Sequence, residues 1–569
     1  MLLLLMYAAY SLLFLCLHVG LKLLRYGIRR LRGHGQEGSG ADAGFAWEYF
    51  LLLGLLMTNA FHLAFGYKRV GVTELTWLMS RGPVVQALLF VAAWGLLFLL
   101  FRFLAAHWRT ALGSVLAERS AIAFALVASL SCVVQPGPHK RIATEGTAFA
   151  AGPLVDPTVE PAPRRPLVFV GLDGVDWRLL RAAIRTGRLE NFEELVRDGY
   201  TSSLDNGGLG LSPVVWTAIA TGKSMEEHGI FGFDVSRSPL FERPIEAWLR
   251  YSPLEFAVWP TVGVLRQLGL VESRLAMGTD RHGPSMWQIL SRHNYRNLVV
   301  NYMTSFPAEK INGVFLAEHA YVAMAESGAE KSRTAANGAT EGMVYPVGFL
   351  EREYSHIRPA ARGPQDPTSR HEREFDYLAP LTLEILKRNS FDFITFYTWL
   401  TDSFNHGLSV EDYDAMIEGR FDRPMARRFL DVYDKIDDFV AELRRLRPHA
   451  NLMIVSDHGV GPGYERRRRN LQHGSRPGGI FIAHGPDVRP GIGSAPISMY
   501  DITPTVLFYF DVPVARDFRG RIATEVFSVS SAPRYVASYD PLVPNARVET
   551  SRGELAGVRE RLKALGYIE

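Results

Sequence analysis

P-L-V-F-V-G-L-D-G, residues 166–174, reads as a strand buried on both faces that breaks at an aspartate and a glycine. Three further stretches have the same form: F-D-F-I-T-F-Y-T-W-L-T-D (391–402), N-L-M-I-V-S-D-H-G (451–459) and G-I-F-I-A-H-G-P (479–486). Residues 297–306 read as another strand, and the amphipathic stretches 178–198 and 425–446 read as helices between strands. Apolar strands alternating with amphipathic helices predict an α/β fold, a mostly parallel sheet with helices on both faces. Ligands in such sheets collect beyond the carboxyl ends of the strands. Of Asp173, Ser212, Asp402, His406, Asp457, His458 and His473, most lie where such an apolar run breaks into a Gly-rich or polar turn, and His473 lies just before one, so the arrangement suggests a metal site.

The chain is long enough for more than one domain, and its mean hydropathy of +0.02 is high for a purely soluble protein. The apolar excess is local. Residues 2–24, 47–65 and 84–103 each approach the roughly 20 residues that cross a bilayer, and 121–134 is a shorter fourth segment. Segment 2–24 lacks the basic start and small-residue cleavage site of a signal peptide. Residues 1–134 therefore read as a membrane domain of about four helices, with the lipid bilayer as partner. Lys22, Arg25, Arg29, Arg30 and Arg32 give the first loop the strongest basic bias, which places it in the cytoplasm. Four crossings then put the chain after residue 134 outside, in the periplasm of a Gram-negative cell. Lys68, Arg69 and Arg81 run against this orientation, and if segment 121–134 does not span, the catalytic part faces the cytoplasm.

Residues 135–165 are rich in Pro, Gly, Ala and Thr and read as a linker to a catalytic domain, 166–569. Within that domain, 234–286 and 317–373 break the alternation and read as insertions near the crevice. A net charge of +3 with scattered basic residues disfavours nucleic acid as a partner. The run Arg466–Arg469, just before His473, reads as a solvated loop, with anion steering as the alternative. Cys16 and Cys132 fall in membrane segments, so no disulfide framework exists after them.

Asp402 and His406 are spaced i, i+4, which puts both on one helix face if the chain turns helical after the 391–400 run. In S-D-H-G, Gly459 allows a sharp turn that aims Asp457 and His458 outward. Asp173 either ligates a metal or caps the next helix. Ser212 precedes Pro213 and a short helix ended by Gly222, which places Ser212 at the N-cap beside free backbone N–H groups. Its hydroxyl is a candidate nucleophile and those amides are candidate donors to a phosphoryl or sulfuryl oxygen. Thr217 lies about 7.5 Å further along that helix and about 140° around it, so both hydroxyls cannot face one site. Thr217 reads as a packing residue.

Together V-F-V-G-L-D-G-V-D-W, L-S-P-V-V-W-T-A-I-A-T-G-K-S-M-E-E-H-G-I-F-G-F, Y-T-W-L-T-D-S-F-N-H, I-V-S-D-H-G and D-I-T-P-T-V-L-F-Y-F resemble the alkaline phosphatase superfamily, and within it the type I phosphodiesterase/nucleotide pyrophosphatase-like branch. N-Y-M-T-S-F-P-A-E-K-I-N-G-V-F is similar to a segment of related members. The resemblance implies an alkaline-phosphatase-like fold over roughly 166–527, phosphoester substrates, and two divalent metal ions, zinc or alternatively manganese. It implies that Asp402, His406 and His473 hold one metal, and that Asp173, Asp457 and His458 hold the other together with Ser212. The sequence departs from the branch in having serine where threonine is common, Phe233 where a polar residue helps hold the phosphate, and a short spacing from His473 to the next G-P. With no cysteine after Cys132, the formylglycine of type I sulfatases is absent. L-K-A-L-G-Y-I near the C-terminus resembles a sulfatase-like tail. The reading is a membrane-anchored phosphodiesterase or phosphomonoesterase. The alternatives are a transferase acting on a lipid-linked or glycan substrate of the envelope, to whose architecture the membrane part is similar, and an inactive membrane scaffold. Oligomeric state is not legible.

Overall fold

The computed structural model of the chain describes residues 154–156, 161–238, 244–246, 266, 269–318, 320–321, 342–358, 367–461, 472–544 and 546–547. The four expected membrane segments, both cysteines, the arginine run and the C-terminal L-K-A-L-G-Y-I lie outside the described residues, as do about half of the two expected insertions and most of the linker. Among the described residues no helix is long and apolar enough to cross a membrane. The chain divides into two compact units, residues 1–142 with 237–272, and 143–236 with 273–569. The central sheet and its flanking helices belong to the second.

The strands among the described residues, in chain order, are β1 (Leu167–Leu172), β2 (Tyr200–Asp205), β3 (Asp234–Arg237), β4 (Glu272–Leu275), β5 (Asn297–Tyr302), β6 (Gly313–Ala317), β7 (Val344–Tyr345), β8 (Phe393–Thr398), β9 (Asn451–Val455), β10 (His458–Gly461), β11 (Gln472–Gly478), β12 (Ile480–His484), β13 (Gly491–Ile492), β14 (Ile497–Ser498), β15 (Val514–Ala515) and β16 (Tyr535–Val536). The central sheet has ten strands in the order β13-β2-β12-β9-β1-β8-β5-β6-β7, with β14 also on β2. Pairs β9–β1, β1–β8, β8–β5 and β5–β6 are parallel. β12 runs antiparallel to both β9 and β2, and β7 antiparallel to β6, so the sheet is mixed and mostly parallel.

Every residue of β1, β5, β8 and β9 is buried, as continuous apolar runs in the middle of a sheet with two covered faces require. Helices flank the sheet in two packed groups. Ser212–Thr221 packs with Ile502–Tyr509, which also meets Met286–Arg292, while Pro367–Arg388 packs with Pro424–Leu446, which also meets Glu190–Asp198. Pro424–Leu446 begins with a proline and buries Phe429, Tyr433, Ile436, Val440 and Leu443, a stripe of three- and four-residue steps.

Several boundaries differ from the sequence reading. The helix expected over 178–198 is two, Trp177–Ile184 and Glu190–Asp198, divided at Gly187, whose φ of 78° a right-handed helix does not accommodate. Asp176, with its side chain accepting from the amides of Arg178 and Leu179, caps the first of them, so Asp173 is not a cap. The strand expected over 297–306 ends at Tyr302, before the left-handed Thr304. Residues 367–373, expected in an insertion, open the helix Pro367–Arg388.

Register explains why the chemistry meets at one edge. Leu172 pairs with Thr398, and Gly171 pairs with both Tyr397 and Val455, so β1, β8 and β9 end level with one another. Because β12 is antiparallel, its start lies at that same edge, beside the end of β9. The chain arriving from β11 therefore reaches the crevice from the near side.

Candidate active site

Asp173 follows β1 and is completely buried. Its Oδ2 accepts hydrogen bonds from Trp216 Nε1 at 3.0 Å and Tyr397 Oη at 2.5 Å. Its Oδ1 lies 3.4 Å from both Ser212 Oγ and His458 Nε2. Gly174 makes room for Asp402: its φ is +71°, and a Cβ there would come within 2.7 Å of Asp402 Oδ1. A side chain at 174 would both strain the backbone and displace that carboxylate.

Ser212 opens the helix Ser212–Thr221, but as its first residue. The N-cap is Leu211, whose carbonyl accepts from the amides of Val214 and Val215, at 3.0 and 3.2 Å. Pro213 has no N–H, so the sequence expectation of several free amides reduces to that of Ser212 itself. The helix ends where expected, at the left-handed Gly222. Ser212 Oγ is buried, 3.1 Å from His458 Nε2. The Thr217 hydroxyl instead donates to the Pro213 carbonyl at 2.6 Å. That bond commits Thr217 to its own helix.

Asp402 and His406 lie on and just after the helix Leu400–Asn405. His406 Nε2 is 3.2 Å from Asp402 Oδ2, so the i, i+4 spacing brings the two together. Asp457 and His458 follow β9, and no sharp turn occurs at Gly459: His458 already begins β10. Both are almost wholly buried. Asp457 Oδ1 accepts from the Gly174 amide at 3.2 Å, while its Oδ2 accepts no hydrogen bond and lies 3.4 Å from His458 Nε2. His473 is in β11, paired with Val460 of β10, and its side chain lies outside the described residues.

One carboxylate oxygen each of Asp173 and Asp402 and one ring nitrogen of His458 lie within 4.8 Å of one another. Burial raises the Asp457 pKa, and the neighbouring Asp173 carboxylate raises it further. Burial alone would depress the His458 pKa, but the charges of Asp457 and Asp173 outweigh it and push it up. His458 Nδ1 can only donate to the Gly459 carbonyl, 3.1 Å away, so Nε2 is the nitrogen that would give up its proton to a cation bound in the cluster. Buried, mutually repelling carboxylates, an oxygen lacking a hydrogen bond, and an imidazole oriented with Nε2 towards them fit a hard or borderline divalent cation such as zinc.

Sequence reasoning missed the residues that hold this cluster. Trp216 is one helical turn beyond Ser212, so it shares that face, and Tyr397 sits opposite Gly171 in the sheet. A Cβ on Gly171 would come within 2.9 Å of Trp216 and 3.1 Å of Tyr397, so the glycine leaves both rings their path to Asp173. The Thr401 hydroxyl donates to the Asp173 carbonyl, Asn405 Nδ2 to the Gly174 carbonyl at 2.8 Å, and Asn206 Nδ2 to the Asp457 carbonyl at 3.0 Å.

Behind the site Glu318, just past β6, accepts from the Thr304 amide at 2.6 Å. Burial pushes its pKa up from 4.5 to about 8 against the pull of that amide, with Glu374 and Asp173 adding to the rise. Since the folded value exceeds the unfolded one, the stability owed to neutral Glu318 is whole below pH 4.5 and lost as pH rises towards about 8. Glu318→Gln is expected to melt several degrees above the wild type at pH 8 and level with it at pH 4.5. Identical melting curves at both pH values contradict this account of Glu318.

A buried carboxylate–imidazole cluster with a serine hydroxyl beside it, at the carboxyl edge of an α/β sheet, has the make-up of a metal-assisted esterase. The model of the family "Type I phosphodiesterase / nucleotide pyrophosphatase" matches residues 167–473. The chain belongs to that family. None of the curated proteins compared with the chain matches it significantly. Among solved structures it is similar to phosphonoacetate hydrolase from Sinorhizobium meliloti 1021, at 18% identity and a TM-score of 0.33, over 53% of this chain and 58% of that one. It thus spans less than two thirds of that relative's length. It is also similar to murine ectonucleotide pyrophosphatase/phosphodiesterase 5, at 11% identity and a TM-score of 0.37, over 62% of this chain and 96% of that one. The alkaline phosphatase PafA aligns at 14% identity and a TM-score of 0.36, over 65% of this chain and 100% of its own.

Proposed function

We propose that this protein hydrolyses phosphoric mono- or diesters at a two-metal site, with Ser212 as nucleophile and Asp173, Asp402, His406, Asp457, His458 and His473 as metal ligands. The observation that carries the reading is the placement of Ser212 Oγ, 3.1 Å from His458 Nε2 and 3.4 Å from Asp173 Oδ1, within the buried cluster. Divalent cations held there, zinc or alternatively manganese, would supply Lewis-acid stabilisation of charge on the phosphoryl oxygens and on the serine oxygen.

The rest follows from the chain's own groups. Ser212 Oγ attacks phosphorus, its proton passes to solvent or the departing alcohol, and the ester P–O bond breaks. Water then cleaves the Ser212–phosphoryl bond, restoring the hydroxyl and releasing phosphate or a phosphomonoester. Trp216 and Tyr397 hold Asp173 throughout. Tyr397 stays protonated, because burial and the Asp173 charge raise its pKa well above the ordinary value, so it remains a donor to that carboxylate.

The experiment is a panel of chromogenic phosphomonoester, phosphodiester and sulfate ester substrates offered to the purified full chain with zinc. Turnover of a phosphoester is expected, and turnover confined to the sulfate ester tells against the reading. We further place the catalytic unit outside the cytoplasmic membrane, anchored by residues 1–134, on the basic bias of the loop from Lys22 to Arg32. A periplasmic reporter fused after Pro166 should be active and one fused near Gly35 inactive. The reverse pattern would put the site in the cytoplasm.

A further inference from the structure

Phe233 is a large apolar side chain left 38% exposed. Its surroundings do not let it hang loose. Ile230 and Val235 on either side are buried in one apolar cluster with Ala276, and the Ala276 amide donates to the Phe233 carbonyl at 2.7 Å. The ring is stacked on Trp399, with centroids 6.1 Å apart and planes 30° from parallel.

Trp399 is itself fixed. The His371 ring lies parallel to it at 5.7 Å, Tyr397 meets it edge-on at 5.9 Å, and His371 Nδ1 is bonded to the Ser403 hydroxyl. The Trp399 carbonyl accepts from the Ser403 amide at 3.0 Å, in the first turn of the helix that carries Asp402. Tyr397, touching the other side of this arrangement, donates to Asp173. A continuous path of touching side chains therefore runs from an exposed ring to the buried cluster: Phe233, Trp399, Tyr397, Asp173. Trp399 directly follows β8 at the carboxyl edge of the sheet and precedes the helix Leu400–Asn405, so the ring stacked on it lies at that edge, and His406, just after the same helix, is also half open to solvent.

A benzene ring has neither donor nor acceptor for a phosphoryl oxygen or a sugar hydroxyl. What a rigidly backed ring at the rim can recognise is apolar surface, by stacking or by covering a hydrocarbon chain. We propose that Phe233, held by Trp399, is a specificity-determining residue that favours phosphoesters whose organic group is apolar next to the phosphorus, aryl or alkyl, over those carrying a sugar or polyol there. This rests on the phosphoester reading of the site.

The test uses three non-hydrolysable probes with one headgroup: phenylphosphonate, hexylphosphonate and 2,3-dihydroxypropylphosphonate. Each is titrated calorimetrically into the zinc-loaded full chain and into Phe233→Ala and Phe233→Tyr, with folding checked by circular dichroism. The wild type should bind at least one apolar probe about tenfold more tightly than the dihydroxypropyl probe, the scale of one good aromatic contact. Phe233→Ala should lose that preference while keeping its affinity for the dihydroxypropyl probe, and Phe233→Tyr should retain it. A preference for phenyl alone identifies a flat aromatic group, and one shared by phenyl and hexyl identifies hydrocarbon in general. Equal binding of all three probes by the wild type, or an undiminished preference in Phe233→Ala, overturns the proposal while leaving the phosphoester site intact. Failure of all three to bind the zinc-loaded protein tells against the phosphoester site itself, and the selection falls with it.

Discussion

Ser212→Ala is expected to lower phosphoesterase turnover by about a thousandfold or more, the scale on which loss of a nucleophile acts, without unfolding the protein. The side chain removed is small, and its oxygen contacts His458 and Asp173. The variant should therefore keep the far-ultraviolet spectrum and the bound metal of the wild type. Thr217→Val is the control. Its hydroxyl is spent on the Pro213 carbonyl within its own helix, so the variant should retain most activity and lose about 1 kcal/mol of stability at most. If Thr217→Val were the inactive variant and Ser212→Ala the active one, the assignment of the helix face would be wrong.

The second large effect is metal dependence. Chelation is expected to bring activity to background and zinc to restore it, because Asp173, Asp402, Asp457 and His458 crowd charge into a buried space that a cation would neutralise. Asp457→Ala should be inactive and remain so when zinc is added. Tyr397→Phe removes only the hydroxyl that orients Asp173, so a smaller loss, about 10- to 100-fold, is expected, with weaker zinc binding to match. Full activity in protein that elemental analysis finds free of metal would falsify the metal site.

The centre of the fold was legible because β1, β5, β8 and β9 are buried on both faces and so read as mostly apolar runs. The direction of β12 was not. An apolar run looks the same whichever way its strand points, and what reverses it here is the β10–β11 pair, which returns the chain to the edge it had just left. The break at Gly187 was hidden because the amphipathic period carries on across it. Ser212 was displaced from cap to first turn because a proline is tolerated at either of the first two helical positions.

The candidate site was legible in its charged residues, which stand out at strand ends. Its supports were not. Trp216 and Tyr397 look like core residues in sequence, and they become partners of Asp173 only once the register sets Tyr397 against Gly171 and leaves the space that both rings occupy. Gly174 carries the same lesson. The sequence shows a turn there, whereas the structure shows a turn with Asp402 packed against it.

The central claim is that the serine at the start of the helix Ser212–Thr221 carries the phosphoryl group between the two halves of the reaction. The most direct measurement is to quench a turning-over reaction in acid, digest the protein and map the phosphorylated peptide by mass spectrometry. The account predicts a single labelled residue, Ser212, and no label in Ser212→Ala. A label on Thr217, or wild-type turnover by Ser212→Ala, would contradict it.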